Sequence, residues 1–577
     1  MAVNKISLRI GGPAGRGIMN TGLMFAKCCS RIGLHVFDYI EYPSLIKGGH
    51  NTYVVRAEDE PIYCQVKGTD ILIALDEPSI HIHREELNAQ SIVIYDEKAV
   101  HENIAGLSNC HRIPLPMKEL LQEAHGKELM ANTVCLGAAL GIMDYPLAVA
   151  EGVVRDAFGE KKDAIVEENL AALRLGFTYA REHFAALNHY RLTPIPNAPK
   201  RMVLTGNEAI ALGAVSAGLT FYAAYPMTPA SSILHTLAGW QERHNIVVKH
   251  AEDEISVANM TVGAAFAGAR AMCATSGGGF ALMNETLSLA GITETPAVFV
   301  EVTRGGPGTG IPTFTEQSDL KFVLNSGHGD FPLFVVAPGD VEEAFRLTGE
   351  AFNAAERYHT PTVILSDKYL GESHKSAEFF NERVPIDRGP LLREAPEHYL
   401  RYPLDGRAVT PRTIPGVPNG FFLANSDEHD PFGYSTEEID IRNAQMEKRM
   451  RKLEEFAREM PQPVLRGPPL ADLTIISWGS TKGPIMEALK HLEREGLSVN
   501  FLHLTWIQPF PRATVRRILS NAKRTLIIEN NYSGQMQGVI KEQTGIDIQH
   551  AMRRYDGRPF FFEDICSRVK DILRGGQ

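Results

Sequence analysis

The chain has 577 residues, of which 44% are hydrophobic and 22% are charged, and its formal net charge is −11. At about 150 residues per domain, this length predicts three or four domains with sizeable cores. No block of like charges stands out, which argues against nucleic acid and anionic membrane as partners. No apolar run is long enough to cross a bilayer, and the N-terminal residues lack the pattern of a signal peptide. We therefore expect a cytoplasmic protein.

The cysteines argue against a metal site or a disulfide framework in this chain. None of the seven forms a C-x-x-C pair; they are Cys28, Cys29, Cys64, Cys110, Cys135, Cys273 and Cys566. This spacing is not typical of zinc sites or of cysteine-ligated iron–sulfur clusters, and the composition is not that of a small disulfide-rich protein. We expect no metal ligands here.

Short apolar runs rich in β-branched residues alternate with longer amphipathic stretches. Such runs are ILIAL (71–75), SIVIYD (91–96), AVFVEV (297–302), LFVVAP (333–338), TVILSD (362–367), LTIISWG (473–479) and TLIIENN (525–531). Runs of this length, apolar throughout, are typical of parallel strands covered on both faces by helices. The sequence therefore predicts an α/β protein.

Breaks in this pattern divide the chain into segments. A proline-containing polar stretch predicts an extended linker, and a later stretch rich in Pro, Gly, Arg and His predicts an irregular connector with one charged helix at about 437–459. The predicted segments are an N-terminal domain (1–187), a linker (188–200), a middle domain (201–371), a connector (372–470) and a C-terminal domain (471–577).

Two glycine-containing loops lie near the N-terminus. The first strand, KISLRI, runs into GGPAGRG, where Gly12 and Gly15 would let backbone N–H groups approach an anion. The second loop, EYPSLIKGGH, combines Lys47 with two glycines. The first loop lacks G-x-G-x-x-G spacing and a convincing ribose-binding acid, which argues against NAD. Steric reasons alone also explain such turns.

The middle domain contains a strand that runs into Tyr225-Pro226-Met227-Thr228-Pro229 and then a helix. Threonine is a good N-cap and proline suits the first helical position, so this pattern predicts Thr228 as the N-cap and Pro229 as the first helical residue. A helix start with a hydroxyl group is a reasonable place to bind a carboxylate. A capped helix without a ligand is the plainer alternative.

Three consecutive acids, Glu252, Asp253 and Glu254, precede a helix whose residues are mostly small. In helical register one face carries Glu254, Ala258, Thr261, Ala265 and Gly268. That stripe lets something large approach the glutamate. The acids also suit a first helical turn, where they complement the helix dipole.

Two further strands end in glycine-rich turns. One leads into Thr275-Ser276-Gly277-Gly278-Gly279, and AVFVEV leads into Arg304 and a run of glycines. Because α/β sheets bind ligands at the carboxyl ends of their strands, Arg304 is well placed to bind a carboxylate with its planar guanidinium group. A structural salt bridge is the alternative.

Together these motifs, YPMTPASS, AEDE before GAAFAGARA, ATSGGGF and VTRGGPGTGIPT, resemble the α subunit of the 2-oxoacid:ferredoxin oxidoreductases, in particular the 2-oxoglutarate branch. GGPAGRG and EYPSLIKGG are similar to the γ domain of that family, fused ahead of the α part. ISWGSTKG, LHLTWIQPFP and IIENNYSGQ resemble its transketolase-C-like domain. The resemblance implies three α/β domains with mainly parallel sheets: a γ domain, a pyrimidine-binding domain and a transketolase-C-like domain.

The resemblance also implies a reaction and its residues. Members of the family join a 2-oxoacid and coenzyme A, reduce ferredoxin and release CO₂, using thiamine diphosphate. By position, Thr228 and Arg304 would bind the 2-oxo-carboxylate, with Tyr225 and Pro226 in the same loop. Glu254 would be the catalytic glutamate that faces N1′ of the aminopyrimidine.

The resemblance implies further ligand contacts and a partner. Thr275 and Gly278 would contact thiamine diphosphate, and Gly12, Gly15 and Lys47 would contact coenzyme A. The G-D-G motif that holds Mg²⁺ and the diphosphate is absent, as are cluster cysteines. A β subunit is therefore expected to carry Mg²⁺ and a [4Fe–4S] cluster, in a complex that is a dimer of αβ pairs and exchanges electrons with ferredoxin.

Three alternatives remain at this stage. A relative that acts on branched-chain or aryl 2-oxoacids would lack a basic group for the distal carboxylate of 2-oxoglutarate. A dinucleotide-binding electron-transfer or regulatory module would need a ribose-binding acid, for which Asp38 and Glu41 are the nearest residues. A catalytically silent scaffold would not need Glu254, Thr228 and Arg304.

Overall fold

The computed structural model describes residues 2–45, 48–100, 110–381 and 384–575. Lys47 and residues 101–109 are among those outside the described ranges.

Strands and helices follow each other through most of the described residues, except between β16 and α15. The strands are β1 (Ala2–Val3), β2 (Lys5–Pro13), β3 (His35–Glu41), β4 (His50–Glu58), β5 (Ile71–Ala74), β6 (Ile92–Asp96), β7 (His111–Leu115), β8 (Tyr190–Arg191), β9 (Met202–Thr205), β10 (Phe221–Ala224), β11 (Val247–His250), β12 (Ala271–Thr275), β13 (Val298–Thr303), β14 (Phe334–Val336), β15 (Thr362–Asp367), β16 (His374–Ala377), β17 (Leu465–Arg466), β18 (Leu473–Trp478), β19 (Val499–Leu504), β20 (Trp506–Gln508), β21 (Thr525–Glu529) and β22 (His550–Arg553). The helices are α1 (Ile18–Arg31), α2 (Glu77–His83), α3 (Met117–Glu123), α4 (Ala131–Ile142), α5 (Leu147–Phe158), α6 (Asp163–Phe184), α7 (Gly206–Ser216), α8 (Ser231–His244), α9 (Glu254–Phe266), α10 (Gly277–Leu282), α11 (Asn284–Ile292), α12 (Leu320–Leu324), α13 (Val341–Tyr358), α14 (Lys368–Glu372), α15 (Ile439–Glu459), α16 (Lys482–Arg494), α17 (Arg512–Ser520), α18 (Gln535–Thr544) and α19 (Phe562–Leu573).

The first compact unit comprises Met1–Leu204, Ser373–Phe379 and Phe561–Ile565. Its larger sheet has the order β7-β6-β5-β2-β4-β3-β16-β9, and β1 pairs with β8 in a two-stranded sheet. The ladders β2–β5, β5–β6 and β6–β7 are parallel, whereas β4 is antiparallel to both β2 and β3. The apolar residues of β2 and β5 are buried, together with one face of α1 and nearly all of α4. Because its residues are almost all small or apolar, α4 packs as an interior helix.

The second compact unit comprises Thr205–Glu372, Phe380–Phe560 and Cys566–Gln577, and one of its sheets has the order β11-β10-β12-β13-β15-β14-β20. The ladders among β10, β12, β13 and β15 are parallel, and only β20 runs antiparallel to its neighbour among the ladders described. The carboxyl ends of β10, β12 and β13 therefore meet at one edge. Ligands bind at this kind of edge in open α/β sheets.

The other sheet of this unit has the order β17-β19-β18-β21-β22, with parallel ladders except where β17 meets β19. Its buried residues form one cluster with those of the seven-stranded sheet, for example Ile476 with Val335. The prediction of an α/β fold with several mainly parallel sheets is confirmed. Each apolar run named above contains a strand.

Residues 380–381 and 384–470 have little regular structure apart from α15 and the short strand β17. Helix α15 closely matches the charged helix predicted from the sequence. This segment is nevertheless held by buried charges. Glu294 Oε1 accepts from Lys448 Nζ and Glu294 Oε2 accepts from Lys452 Nζ, both at 2.7 Å, and all three side chains are buried. Because each charge has a partner of opposite sign, the polar sequence here is compatible with a packed interior.

Candidate active site

The turn after β10 contains two exposed residues, Tyr225 and Pro226, followed by the partly buried Thr228. The predicted capping pattern is wrong: residues 228–230 form a turn around a cis peptide bond between Thr228 and Pro229, and α8 begins at Ser231. Because the backbone turns here, Thr228 is not the residue that flanks the helix, and Ala230 holds the N-cap position. The turn instead places the carbonyl oxygen of Thr228 within hydrogen-bond distance of Arg304 Nη1.

The structure distinguishes the three acids before α9. Glu252 is exposed, and Asp253 is the N-cap, whose carboxylate accepts from the backbone N–H of Ser256 at 2.7 Å. Glu254 is the first helical residue and is only 4% exposed. Its Oε1 atom has no hydrogen-bond partner among the described residues. A buried carboxyl oxygen without a hydrogen-bond partner is energetically costly.

The carboxyl group of Glu254 packs against the first turn of α10. A Cβ atom built on Gly279 would lie 2.6 Å from Glu254 Oε1 and 2.7 Å from Glu254 Cγ, and it would also overlap the hydroxyl of Thr275. Only glycine fits at this close approach. By contrast, Gly278 is exposed, and a Cβ atom there would meet no atom within 4 Å. The space in front of Gly278 is therefore open.

Thr275 connects this region to the turn after β10. It is the last residue of β12 and is buried, and its hydroxyl donates to Met227 Sδ over 3.8 Å. Arg304, directly after β13, donates from Nη1 to the carbonyl oxygen of Thr228 at 2.7 Å. Burial lowers the pKa of Arg304, while the charges of Asp319 and Glu301 act in the opposite direction. The structure thus brings Thr228 and Arg304 together, and Glu254 with Thr275.

Sequence reasoning missed two carboxyl groups beside Arg304. Glu301 lies within β13 and is fully buried, and Asp319 immediately precedes α12. A Cβ atom on Gly277 would lie 2.6 Å from Asp319 Oδ2, which places this carboxyl group against the start of α10. One signal was present, because Glu301 is an isolated acid within the otherwise apolar run AVFVEV.

In the first unit, Gly12 lies near the carboxyl end of β2, and Gly15 lies in the turn between β2 and α1. A Cβ atom on Gly12 would lie 2.9 Å from Leu75 Cβ, so packing alone explains a glycine at this position. Gly15 has a φ of 86°, and a Cβ atom there would meet no atom within 4 Å. Nearby, a cavity of about 110 Å³ is lined by residues that include Arg16 and Asp96. Lys47 lies outside the described residues.

Comparison with known proteins gives the family. Residues 212–448 match the thiamine-diphosphate-binding region of pyruvate flavodoxin/ferredoxin oxidoreductases, residues 7–179 match the pyruvate ferredoxin/flavodoxin oxidoreductase family, and residues 471–565 match core domain II of pyruvate:ferredoxin oxidoreductase. Subunit alpha of 2-oxoacid:ferredoxin oxidoreductase 2 from Aeropyrum pernix is 32% identical over 99% of this chain and 98% of that protein. The chain belongs to the 2-oxoacid:ferredoxin oxidoreductase family.

Two further relatives belong to the 2-oxoglutarate branch. The 2-oxoglutarate synthase subunit KorA of Methanothermobacter marburgensis is 32% identical over 63% of this chain and 97% of its own length. The solved structure of 2-oxoglutarate:ferredoxin oxidoreductase from Magnetococcus marinus superimposes with a TM-score of 0.92, with 31% identity over 99% of this chain and 100% of that one. The predicted family is confirmed, and so is thiamine diphosphate as its cofactor.

Within residues 2–45, 48–100, 110–381 and 384–575, no helix combines the length and the apolar character needed to cross a bilayer.

Proposed function

We propose that this chain is the subunit that carries the γ and pyrimidine-binding domains of a 2-oxoglutarate:ferredoxin oxidoreductase. The reaction converts 2-oxoglutarate and coenzyme A to succinyl-CoA and CO₂, and two electrons pass to ferredoxin. Support comes from the Magnetococcus marinus structure, which holds 2-oxoglutarate, coenzyme A and succinyl-CoA, and from the 2-oxoglutarate synthase relative.

The observation that carries the proposal is the buried carboxyl group of Glu254 with its unpartnered Oε1 atom. The residues present fit the aminopyrimidine of thiamine diphosphate, because this oxygen needs a hydrogen-bond partner and the space beside Gly278 is open. When bound, thiamine diphosphate supplies the nucleophilic carbon and the electron sink of the reaction. Glu254 holds the proton at N1′, and Thr275 and Gly278 line the adjoining space.

Thr228 and Arg304 are the proposed binding residues for the carboxylate next to the 2-oxo group, with Tyr225 and Pro226 beside them. A guanidinium group binds a carboxylate through two parallel N–H bonds. Arg304 uses Nη1 for the carbonyl of Thr228, which fixes the orientation of its plane. Replacement by lysine keeps the charge but removes this geometry, so Arg304→Lys should raise KM for the 2-oxoacid.

The remaining contacts belong to coenzyme A and to the partner subunit. Gly12, Gly15 and Lys47 are proposed to contact coenzyme A. A β subunit is proposed to hold Mg²⁺, the diphosphate and a [4Fe–4S] cluster, in a dimer of αβ pairs that passes electrons to ferredoxin. Support comes from the sequence, which lacks G-D-G and C-x-x-C motifs, and from the relative that is named as one subunit of an enzyme.

Hydrogen exchange at C2 of bound thiamine diphosphate tests the role of Glu254 in the complex reconstituted with its β subunit. Glu254→Gln keeps the size of the side chain but cannot transfer a proton, so exchange should slow by about 10² to 10⁴. The matched control is Glu252→Gln, two residues away and exposed, which should exchange at the parental rate.

Two results would contradict this assignment. Fast exchange in Glu254→Gln together with slow exchange in Glu252→Gln would show that Glu252, and not Glu254, is the carboxylate that transfers the proton. The second result concerns kcat/KM. If kcat/KM is lower for 2-oxoglutarate than for branched-chain or aryl 2-oxoacids, 2-oxoglutarate is not the preferred substrate.

A further inference from the structure

Gln317 belongs to the loop between β13 and α12 (residues 304–319), yet its backbone and its side chain both bond to the five-stranded sheet. It is only 1% exposed. Its Nε2 atom donates to the carbonyl oxygen of Trp478, and its Oε1 atom accepts from the backbone N–H of Asn530, each at 3.0 Å. Its own N–H donates to the carbonyl of Asn530 at 2.7 Å, and its carbonyl accepts from Asn531 Nδ2 at 3.1 Å. Buried bonds of this number hold the residue in one orientation.

These partners lie at the carboxyl edge of the five-stranded sheet. Trp478 is the last residue of β18, and Asn530 directly follows β21, which is a parallel neighbour of β18. Open α/β sheets bind ligands at this kind of edge. Gly479 leaves room for the inserted amide, because a Cβ atom there would lie 2.7 Å from Gln317 Nε2. The sheet therefore uses this part of its edge to hold Gln317.

The turn that holds Gln317 is itself fixed by buried groups. Glu529 is fully buried, and its carboxylate accepts from the backbone N–H groups of Met536 and Gln537 at 2.7 and 3.0 Å. Asn531 Oδ1 accepts from the N–H at position 534 at 2.8 Å. Because these bonds join the end of β21 to the start of α18, the turn between them is a stiff support for Gln317.

The 304–319 loop begins at Arg304, the proposed ligand of the substrate carboxylate. Four of the six residues that follow Arg304 are glycine, and glycine leaves the backbone many conformations. The returning part of the loop restricts them. The first two N–H groups after Arg304 donate to the carbonyl of Phe314 at 3.2 Å and to Glu316 Oε2 at 3.3 Å. Phe314 and Glu316 lie just before Gln317 in the chain, so the support of Gln317 extends to the backbone beside Arg304.

A second contact holds the same part of the loop. The N–H of Thr315 donates to the carbonyl of Gly557 at 3.1 Å, and the guanidinium carbon of Arg558 lies 4.1 Å from the centroid of the Phe314 ring. The tip of the Arg304 side chain is fixed separately, by its bond to the carbonyl of Thr228. The backbone and the tip of Arg304 are thus held by different parts of the molecule.

We propose that Gln317 is a positioning residue for 2-oxoacid binding: by holding the 304–319 loop on the five-stranded sheet, it sets the orientation in which Arg304 meets the substrate carboxylate. This inference rests on the proposed function, in which Arg304 binds that carboxylate. It assigns Gln317 no contact with substrate or cofactor. It gives the five-stranded sheet a role in substrate binding.

Two variants of the complex reconstituted with its β subunit displace the loop from opposite sides. Gln317→Met keeps the length of the side chain but removes its amide, and Gly479→Ala places a methyl group against that amide. If Arg304 loses one of its two N–H bonds to the carboxylate, KM for 2-oxoglutarate should rise on the order of tenfold. Hydrogen exchange at C2 of bound thiamine diphosphate should keep the parental rate, because it depends on Glu254 on α9.

Each variant has a matched control. Gln445→Met removes another buried amide, which donates to the carbonyl of Tyr402 at 2.9 Å in a different segment of the chain. Gly496→Ala introduces a side chain at a φ of 77°, comparable with the 57° of Gly479, but in open space. Both controls should keep the parental KM.

Backbone amide hydrogen exchange in the same complexes tests the support without reference to activity. The N–H groups of Gly305 and Gly306 should exchange faster in Gln317→Met and Gly479→Ala than in the parental protein and the two controls. Parental exchange at both positions would overturn the proposal, and Gly479→Ala alone decides this if Gln317→Met does not fold. A rise in KM with an equal slowing of C2 exchange would also overturn it, because it would indicate a general structural defect.

The proposed function and the role of Gln317 fail in different ways. If Arg304→Lys leaves KM unchanged, the substrate role of Arg304 is wrong, and the positioning role of Gln317 fails with it even where amide exchange is faster. If Arg304→Lys raises KM but Gln317→Met and Gly479→Ala keep the parental KM and amide exchange, the proposed function stands and the role of Gln317 is wrong.

Discussion

Gly279 controls where the carboxyl group of Glu254 lies, and Gly279→Ala should therefore slow the chemistry without unfolding the protein. The new methyl group would lie 2.1 Å from the hydroxyl oxygen of Thr275 and 2.6 Å from Glu254 Oε1. Because non-bonded atoms prefer separations of about 3.5 Å, the carboxyl group must move by about 1 Å. A displacement of about 1 Å in an active site costs roughly 100-fold in rate. The crowding should lower the free energy of unfolding by about 1–3 kcal/mol.

The assay is C2 hydrogen exchange of bound thiamine diphosphate in the reconstituted complex, where Gly279→Ala should exchange roughly 100-fold more slowly. Gly239→Ala is the matched control, because Gly239 is exposed on α8 and a Cβ atom there meets nothing within 4 Å. This control should keep the parental rate. A parental rate in Gly279→Ala with cofactor bound would show that Gly279 does not position Glu254.

Three other changes test the packing and the N-terminal loop. Glu294→Gln leaves two buried lysines without their carboxylate, so the free energy of unfolding measured in urea should fall by about 3–5 kcal/mol. The control is Glu454→Gln, which removes an exposed ion pair with Arg458 and should lower the free energy of unfolding by less than about 0.5 kcal/mol. Burial tends to raise the pKa of Glu428, but hydrogen bonds from Arg449 and Arg442 outweigh this effect and lower the pKa to about 2. This interaction stabilises the protein above the unfolded pKa of about 4.3, and the stabilisation is lost as pH falls towards about 2. Glu428→Gln should therefore lower the free energy of unfolding by on the order of 2 kcal/mol at neutral pH. In thermal unfolding measurements, this difference between the variant and the parental protein should vanish between about pH 4.3 and about pH 2. Gly15→Ala should slow succinyl-CoA formation more than decarboxylation measured without coenzyme A, and equal losses would indicate a purely structural glycine.

The tertiary structure changed the interpretation of several residues that sequence patterns had singled out. The pattern T-P predicted a helix cap, but the chain turns at 228–230 and α8 starts at Ser231. Local propensity could not reveal this, since the same residues suit both arrangements. Three adjacent acids were equivalent in the sequence, and burial alone separates Glu254 from Glu252.

The amino-acid sequence by itself determined the α/β class, the buried strands that lie in its apolar runs, and the family. Buried parallel strands such as 362–367 must be apolar on both faces, and the glycine-rich turns keep a recognisable order along the chain. Only the tertiary structure decided which distant groups meet: Arg304 with the carbonyl of Thr228, and Glu294 with Lys448 and Lys452. Periodicity reports how each segment faces the core, whereas the partner of a buried polar group depends on how separate strands and loops come together at one edge of the sheet.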